Sequence, residues 1–125
     1  MVLIESLVHY IEDNTDLVID TDLFIGTEQF EALSKCVVVS EFAGGIENWS
    51  GSKTQPIQVL AKDLTYLTTQ ALATTVYSIL ANKPGFDDSN LSDVQFCEVL
   101  NRPFPVSRDK RGCYIFSANF LLRMK

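Results

Sequence analysis

In the C-terminal segment, Tyr114, Phe116, Ala118, Phe120 and Leu122 alternate with Ile115, Ser117, Asn119 and Leu121. Apolar side chains at every second position are the period of a strand with one buried face. Just ahead, Arg108, Asp109, Lys110 and Arg111 precede Gly112. A charged run before a residue that adopts positive φ at no steric cost predicts a solvated hairpin tip. A strand that must bury one face commits the chain to a sheet, and the other segments have to supply its neighbours and its cover.

The N-terminal segment from Val2 to Asp13 supplies cover, with Leu3, Ile4, Leu7, Val8 and Ile11 on one stripe of an amphipathic helix and His9 off it. A short strand follows at Leu23 to Ile25, ending at Gly26. The β-branched run Cys36 to Phe42 fits a central strand, and Pro56 to Lys62 alternates Ile57, Val59 and Ala61 against Gln58, Leu60 and Lys62. These two form a hairpin with an oversized loop over residues 43–55. Loops of that length in a small domain are usually functional or mobile. Gly44, Gly45 and Trp49 are therefore candidate partner-docking residues, with Trp49 either folded onto the sheet or anchoring a partner. The loop is expected to order only on docking.

A second helix is predicted from an N-cap at Asp63 to Asn82, stopped by Pro84-Gly85. Between Asp63 and Lys83 it has no charged residue. Leu72, Val76 and Ile79 form one side, with Tyr66, Ala73 and Tyr77 well round from them. Two environments suit such a helix: a place between the sheet and the first helix, or a subunit interface. On the second, Tyr66, Gln70, Ala73, Tyr77, Arg108 and Arg111 are the candidate interface residues. Val94 to Leu100 forms a further strand, and Asn101-Arg102-Pro103-Phe104-Pro105 a rigid connection to the last one. The expected fold is α+β, a mostly antiparallel mixed sheet with helices on one face, in the order α-β-β-β-α-β-β.

The chain has 125 residues, enough for one domain, and 46% hydrophobic with 21% charged residues suits an ordered one. Its mean hydropathy of +0.11 is high for a small soluble monomer, which leaves apolar surface for partners. Cys36, Cys97 and Cys113 are odd in number, far apart and set in apolar runs, as expected of free core thiols in a reducing compartment. No signal peptide or membrane span is expected.

The net charge of −6 is unevenly spread. Residues 1–34 hold Glu5, Glu12, Asp13, Asp16, Asp20, Asp22, Glu28 and Glu31 with no Lys or Arg. Residues 102–125 hold Arg102, Arg108, Lys110, Arg111, Arg123 and Lys125 against Asp109 alone. A solvated acidic face and a basic edge account for this, and so does head-to-tail docking of copies, which generates rings when the rotation closes. Tight sequence-independent DNA binding is disfavoured, because it needs a dense cationic surface.

No phosphate loop, dinucleotide fingerprint, H-x-x-x-H pair or nucleophile elbow occurs. The single histidine, His9, has no evident partner for acid–base work. Asp87-Asp88-Ser89-Asn90 lacks the spacing and terminal glutamate of a calcium loop. No catalytic residue, cofactor or metal site is therefore expected, and the chain is not expected to be an enzyme.

A looser pattern does point somewhere. Pro56-Ile57-Gln58-Val59-Leu60 leads into a helix with Tyr66 and Ala71, followed by Pro103-Phe104-Pro105, Arg108-Asp109, Gly112, Tyr114, Phe116-Ser117 and Asn119-Phe120. This series, over about residues 20–123, resembles the tail-terminator and minor capsid proteins of long-tailed, non-contractile bacteriophages. The resemblance implies an α+β subunit of a ring, commonly a hexamer, that caps the tail tube, stops its polymerisation and offers the head-tail joining surface. Implied partners are further copies, the tail-tube protein and a head-completion or connector protein, with DNA passing through the channel without specific binding. The implied location is the head-proximal end of the virion tail, after assembly in the host cytoplasm. Two alternatives stay open: a head-completion or adaptor ring of the same particle, and a small cytoplasmic ligand-binding or enzymatic α+β domain.

Overall fold

In the computed structural model, residues 2–26, 30–42, 44–47 and 53–125 are described. The elements are α1 (Leu3–Asp13), β1 (Leu23–Ile25), β2 (Cys36–Glu41), β3 (Ile46–Glu47), β4 (Lys53–Asp63), α2 (Tyr66–Leu80), a 3-10 turn (Ser89–Leu91), β5 (Val94–Arg108) and β6 (Tyr114–Met124). The sheet order is β1-β2-β4-β6-β5, with β3 paired to β4 off that path. β1 runs parallel to β2, and the other strand pairings among the described residues are antiparallel. The expected α+β class and element order hold. The addition is β3, whose Ile46 and Glu47 pair with Thr54 and Lys53, so the base of the long loop belongs to the sheet.

Both helices lie on one face. α1 sits over the β1–β2 side and α2 over β4, β6 and β5. Between them and the sheet is the main core, with Leu7, Val8 and Ile11 of α1, Val76 and Leu80 of α2, and Ile57, Val59, Phe116, Phe120 and Leu122 of the sheet. β6 delivers the strand-period residues as expected, because it is central and its helix-side face is covered along its length. On the second face, the described residues form a small cluster of Phe30, Cys36 and Val38, edged by Phe24, Leu33, Leu60 and Ile115.

Four local expectations are corrected. α2 is capped by Thr65, not Asp63: the Thr65 hydroxyl accepts from the Thr68 N–H at 3.1 Å, and Thr68 reaches back to the Thr65 N–H in a reciprocal capping box. Asp63 instead ends β4, opposite Tyr114. The helix stops at Leu80, before Asn82 takes φ of 50°, a left-handed conformation that asparagine tolerates better than most residues. The inward stripe of α2 is Thr69, Ala73, Val76 and Leu80, which pulls Ala73 into the core. Finally, Asn101 to Pro105 continues β5 rather than forming a separate connection. Prolines fit there because β5 is an edge strand, where a missing N–H removes nothing from the ladder, and the strand carries several register shifts.

Phe116 and Phe120 are almost fully buried, with Tyr66 edge-on to the Phe116 ring at 5.1 Å and Tyr77 tilted over Phe120 at 6.1 Å. Phe116→Ala or Phe120→Ala is expected to cost about 3–5 kcal/mol, from lost transfer energy and the cavity left behind. Urea unfolding monitored by circular dichroism measures it.

Candidate interaction surfaces

The hairpin tip between β5 and β6 is built around a buried ion pair that alternation alone hides. Lys62, the last residue but one of β4, lies on the outward side of the strand's pattern, yet it is fully buried. Its Nζ lies 3.0 Å from Asp109 Oδ2, donates to the Phe30 carbonyl and sits 4.6 Å from the centre of the Phe30 ring. Asp109 was expected in solvent at the tip, but its side chain is only 6% exposed. Its Oδ1 accepts from the N–H groups of Arg111 and Cys113, each at 2.9 Å. One carboxylate thus closes the turn with one oxygen and neutralises a buried ammonium with the other. Gly112, at φ of 85°, supplies the left-handed turn residue.

This junction joins three distant parts of the chain: β4 through Lys62, segment 30–35 through Phe30, and the tip through Asp109. A buried ammonium needs a counter-charge and acceptors, because unpaired burial of a charge is costly. Desolvation pushes the Asp109 carboxyl up, but hydrogen bonds from Lys62, Cys113 and Arg111, and the Lys62 charge, outweigh it and hold it below its ordinary value.

The rest of the tip faces outward. Arg108 is exposed, stacks over the Tyr114 ring at 4.4 Å and donates to the Gly112 carbonyl. Tyr114 in turn meets Tyr66 at 5.7 Å, which continues the patch onto the start of α2. Arg111 is exposed, with Nη1 3.5 Å from the Ser34 hydroxyl.

Of the candidate interface residues, Tyr66, Gln70, Arg108 and Arg111 are exposed, while Tyr77 is half-buried over Phe120. Ala73 is buried against the chain's own core and has no surface to give a second subunit. The outer side of α2 is open: Leu67 is 72% exposed, and Gln70, Ala71, Thr74, Thr75 and Ser78 are exposed beside it. Its lack of charge is therefore a property of protein surface and not of a helix sandwiched inside one protomer. Leu64 adds a second exposed leucine at its start.

In the long loop, Gly45 is sterically required: a Cβ there would come 2.2 Å from the Thr54 carbonyl oxygen. Gly44 has open space around it. Trp49 lies outside the described residues.

The second sheet face holds a feature with no clear sequence signal. Ser40, Gln58, Asn119 and Asn101 stand opposite one another across β2, β4, β6 and β5, forming an uncharged polar row. Asn119 donates to Asn101 Oδ1 at 2.6 Å, and Gln58 approaches the Ser117 hydroxyl at 3.5 Å. Only pairing partners place these four in line, and partners are not readable from one strand.

Between the helices, Thr15, Asp16, Leu17, Asp22, Lys35, Leu72 and Thr75 line a cleft of about 190 Å³. His9 is exposed on α1. Asp88 caps the 3-10 turn by accepting from the Asn90 N–H at 2.8 Å, a structural use of that acidic loop. Among the described residues, no cluster of three or more His, Cys, Asp or Glu could hold a metal ion, and no helix is long and apolar enough to cross a membrane. Cys36, Cys97 and Cys113 are free and buried. Burial pushes the Cys97 thiol up to about 12. It also raises Cys36, with Asp22 and Cys113 adding to the rise and Lys62 opposing it.

Residues 10–125 match the family model described as "Bacteriophage tail terminator protein". No curated protein sequence matches the chain.

Two outcomes follow from the junction and the thiols. Because the folded Asp109 carboxyl is held below its unfolded value of about 3.9, the pair contributes fully above that pH and is lost as pH falls through the lowered value. Lys62→Met removes the counter-charge, so this acid-side loss of stability should shrink in the variant; urea midpoints across pH 2–6 measure it. The folded protein should also react with maleimide far more slowly than the urea-unfolded chain, because its three thiols are buried and burial raises those of Cys36 and Cys97.

Proposed function

The chain belongs to the bacteriophage tail terminator family, and from that premise we propose that it works as a ring on the head-proximal end of the tail tube. The observation that carries this reading is the family match over residues 10–125. The ring ends tube polymerisation by occupying the surface that the next tube subunit would use, and it presents the surface that meets the head connector. Its work is binding. Such work needs matched surfaces, and the open neutral side of α2, the basic hairpin tip and the acidic N-terminal third offer them.

In this proposal, copies dock head to tail, with six the expected count. The contacts draw on Tyr66, Gln70, Arg108 and Arg111 on one side and on acidic residues of the N-terminal third on the other. Opposite-charge patches set register and steer association, while apolar contacts supply more of the affinity. Gly44 and Gly45, beside the β3–β4 pairing, belong to the region that docks on the tail-tube or connector protein. DNA slides through a channel in a protein of net negative charge without tight phosphate contacts.

The experiment is electron microscopy of particles assembled without this protein. Tubes that run past normal length and fail to join heads are expected. Tails of normal length that cannot hold a head would move the protein to the head side of the junction. A second test addresses the charge patches: Arg108→Glu with Arg111→Glu should weaken assembly, more at low salt than at high, because screening hides the repulsion. Equal assembly of variant and wild type across salt would remove charge docking from the account.

A further inference from the structure

The two edges of the sheet are unlike, and they face opposite ways. One edge is β5, whose outer half is uncovered by either helix: from Phe104 to Arg108 every residue is exposed, and Leu100 is exposed before it. Exposed apolar side chains there are Leu100, Phe104 and Val106, the last 50% exposed. The charged residues between Leu100 and Arg108 are Arg102 and Arg108, with no acid among them. The nearest acid on the strand, Glu98, is already paired with Arg123 at 3.2 Å.

The other edge is β1, fronted by the turn of residues 17–22. That turn lies along the outer side of β1: the Leu23 N–H donates to the Val18 carbonyl at 3.2 Å, and the Asp20 N–H to the Leu23 carbonyl at 2.9 Å. Its exposed apolar residues are Val18, 50% exposed, and Ile25. Asp16, Asp20 and Asp22 flank them in the sequence, and Lys35 lines the same cleft as Asp16 and Asp22. Four strand spacings, about 20 Å, separate the two edges.

Apolar groups framed by cations on one edge, and apolar groups framed by carboxylates on the opposite edge, are complementary between copies. They are not complementary to themselves. A self-complementary patch makes a closed dimer, whereas unlike patches on opposite sides make a head-to-tail chain or ring. The backbone adds a further restriction. Pro103 and Pro105 remove two N–H donors from β5, and the strand carries register shifts at Asn101/Phe104 and Pro105/Ser107. These features stop a neighbouring strand from extending the ladder, which is how natural edges avoid open-ended pairing. The contact is thus one of side chains.

We infer that the exposed β5 edge of one copy docks on the β1 edge and its acidic turn in the next copy, Leu100, Phe104 and Val106 meeting Val18 and Ile25 inside a frame of Arg102 and Arg108 against Asp16 and Asp20. This rests on the ring reading and names the lateral contact within it. The basic side joins α2 through the stack of Arg108 on Tyr114 and Tyr114 on Tyr66, so the open start of α2 flanks the same contact.

Site-directed cross-linking tests the contact on the full-length chain, in the presence of purified tail tubes. Val18→Cys and Val106→Cys change two exposed positions, and the buried native thiols serve as silent background. With a short bis-maleimide, the double variant should give a ladder of multiples of 14.0 kDa that ends at a closed-ring species. A mixture of the two single variants should stop at the dimer, and neither alone should cross-link above wild type. Electron microscopy of the wild type on the same tubes separates the two levels of the account. A closed ring there with no ladder from the edge pair would overturn the edge contact and leave the ring. Single copies on the tubes with no ladder from the edge pair would overturn both. A charge test supplies a second measure: Arg102→Glu and Asp16→Lys should each block assembly alone, and mixing the two variants should restore it by alternation around an even-numbered ring. Failure of the mixture while the single variants fold would also overturn the contact.

Discussion

The pairing of β4 with β6, from Lys53 opposite Met124 to Asp63 opposite Tyr114, is the constraint around which the chain is arranged. It joins the two strands over their whole lengths; β2, β3 and β5 each pair with one of them, and β1 is added through β2. β2 is laid on the outer side of β4 and β5 on the outer side of β6. α2 can cover this central pair because β4 runs directly into it through the Thr65 cap. Phe116 and Phe120 then meet Tyr66 and Tyr77 across the layer. Register follows from burial, since a one-residue slip would turn Ile57, Val59, Phe116 and Phe120 out of the core.

At one end of this central pair, the Lys62–Asp109 junction turns a sheet terminus into a defined surface. A buried ammonium tolerates few arrangements, so the tip cannot lift away from segment 30–35 without exposing a half-satisfied charge. Replacing such a pair with apolar side chains is often neutral for stability, so the gain is better sought in placement. The pair fixes where Arg108, Lys110 and Arg111 stand. A protein whose proposed work is to match another surface needs those charges in fixed positions.

Much of the fold was legible because its elements carry strong periods: α1 through Leu7, Val8 and Ile11, and β6 through its alternation. What escaped was what depends on neighbours. Lys62 and Asp109 look like surface residues because nothing local says that they meet across 47 positions of sequence. The Ser40–Gln58–Asn119–Asn101 row exists only through pairing register. Ala73 was placed on the wrong side of α2 because Leu72 and Ile79 gave a stronger apolar signal than the Thr69–Ala73–Val76–Leu80 stripe that the sheet selects. Pro103 and Pro105 argued for a break, whereas an edge position accommodates both. The charge-free run of α2 was legible at once, and its exposure required the structure, since α1 lies beside it over a different part of the sheet.

Family membership, a neutral helix face and unlike sheet edges are what support the proposal of a subunit placed between others. The central claim is that this chain forms a closed head-to-tail ring at the end of the tail tube. Cryo-electron microscopy of the head-proximal tail end, with subunits resolved well enough to place β5 and β1, tests it most directly. The account predicts a closed ring, six copies being expected, in which each β5 edge faces the β1 edge of the next subunit. A single copy at the tube end, or symmetric pairs joined through like surfaces, would contradict it.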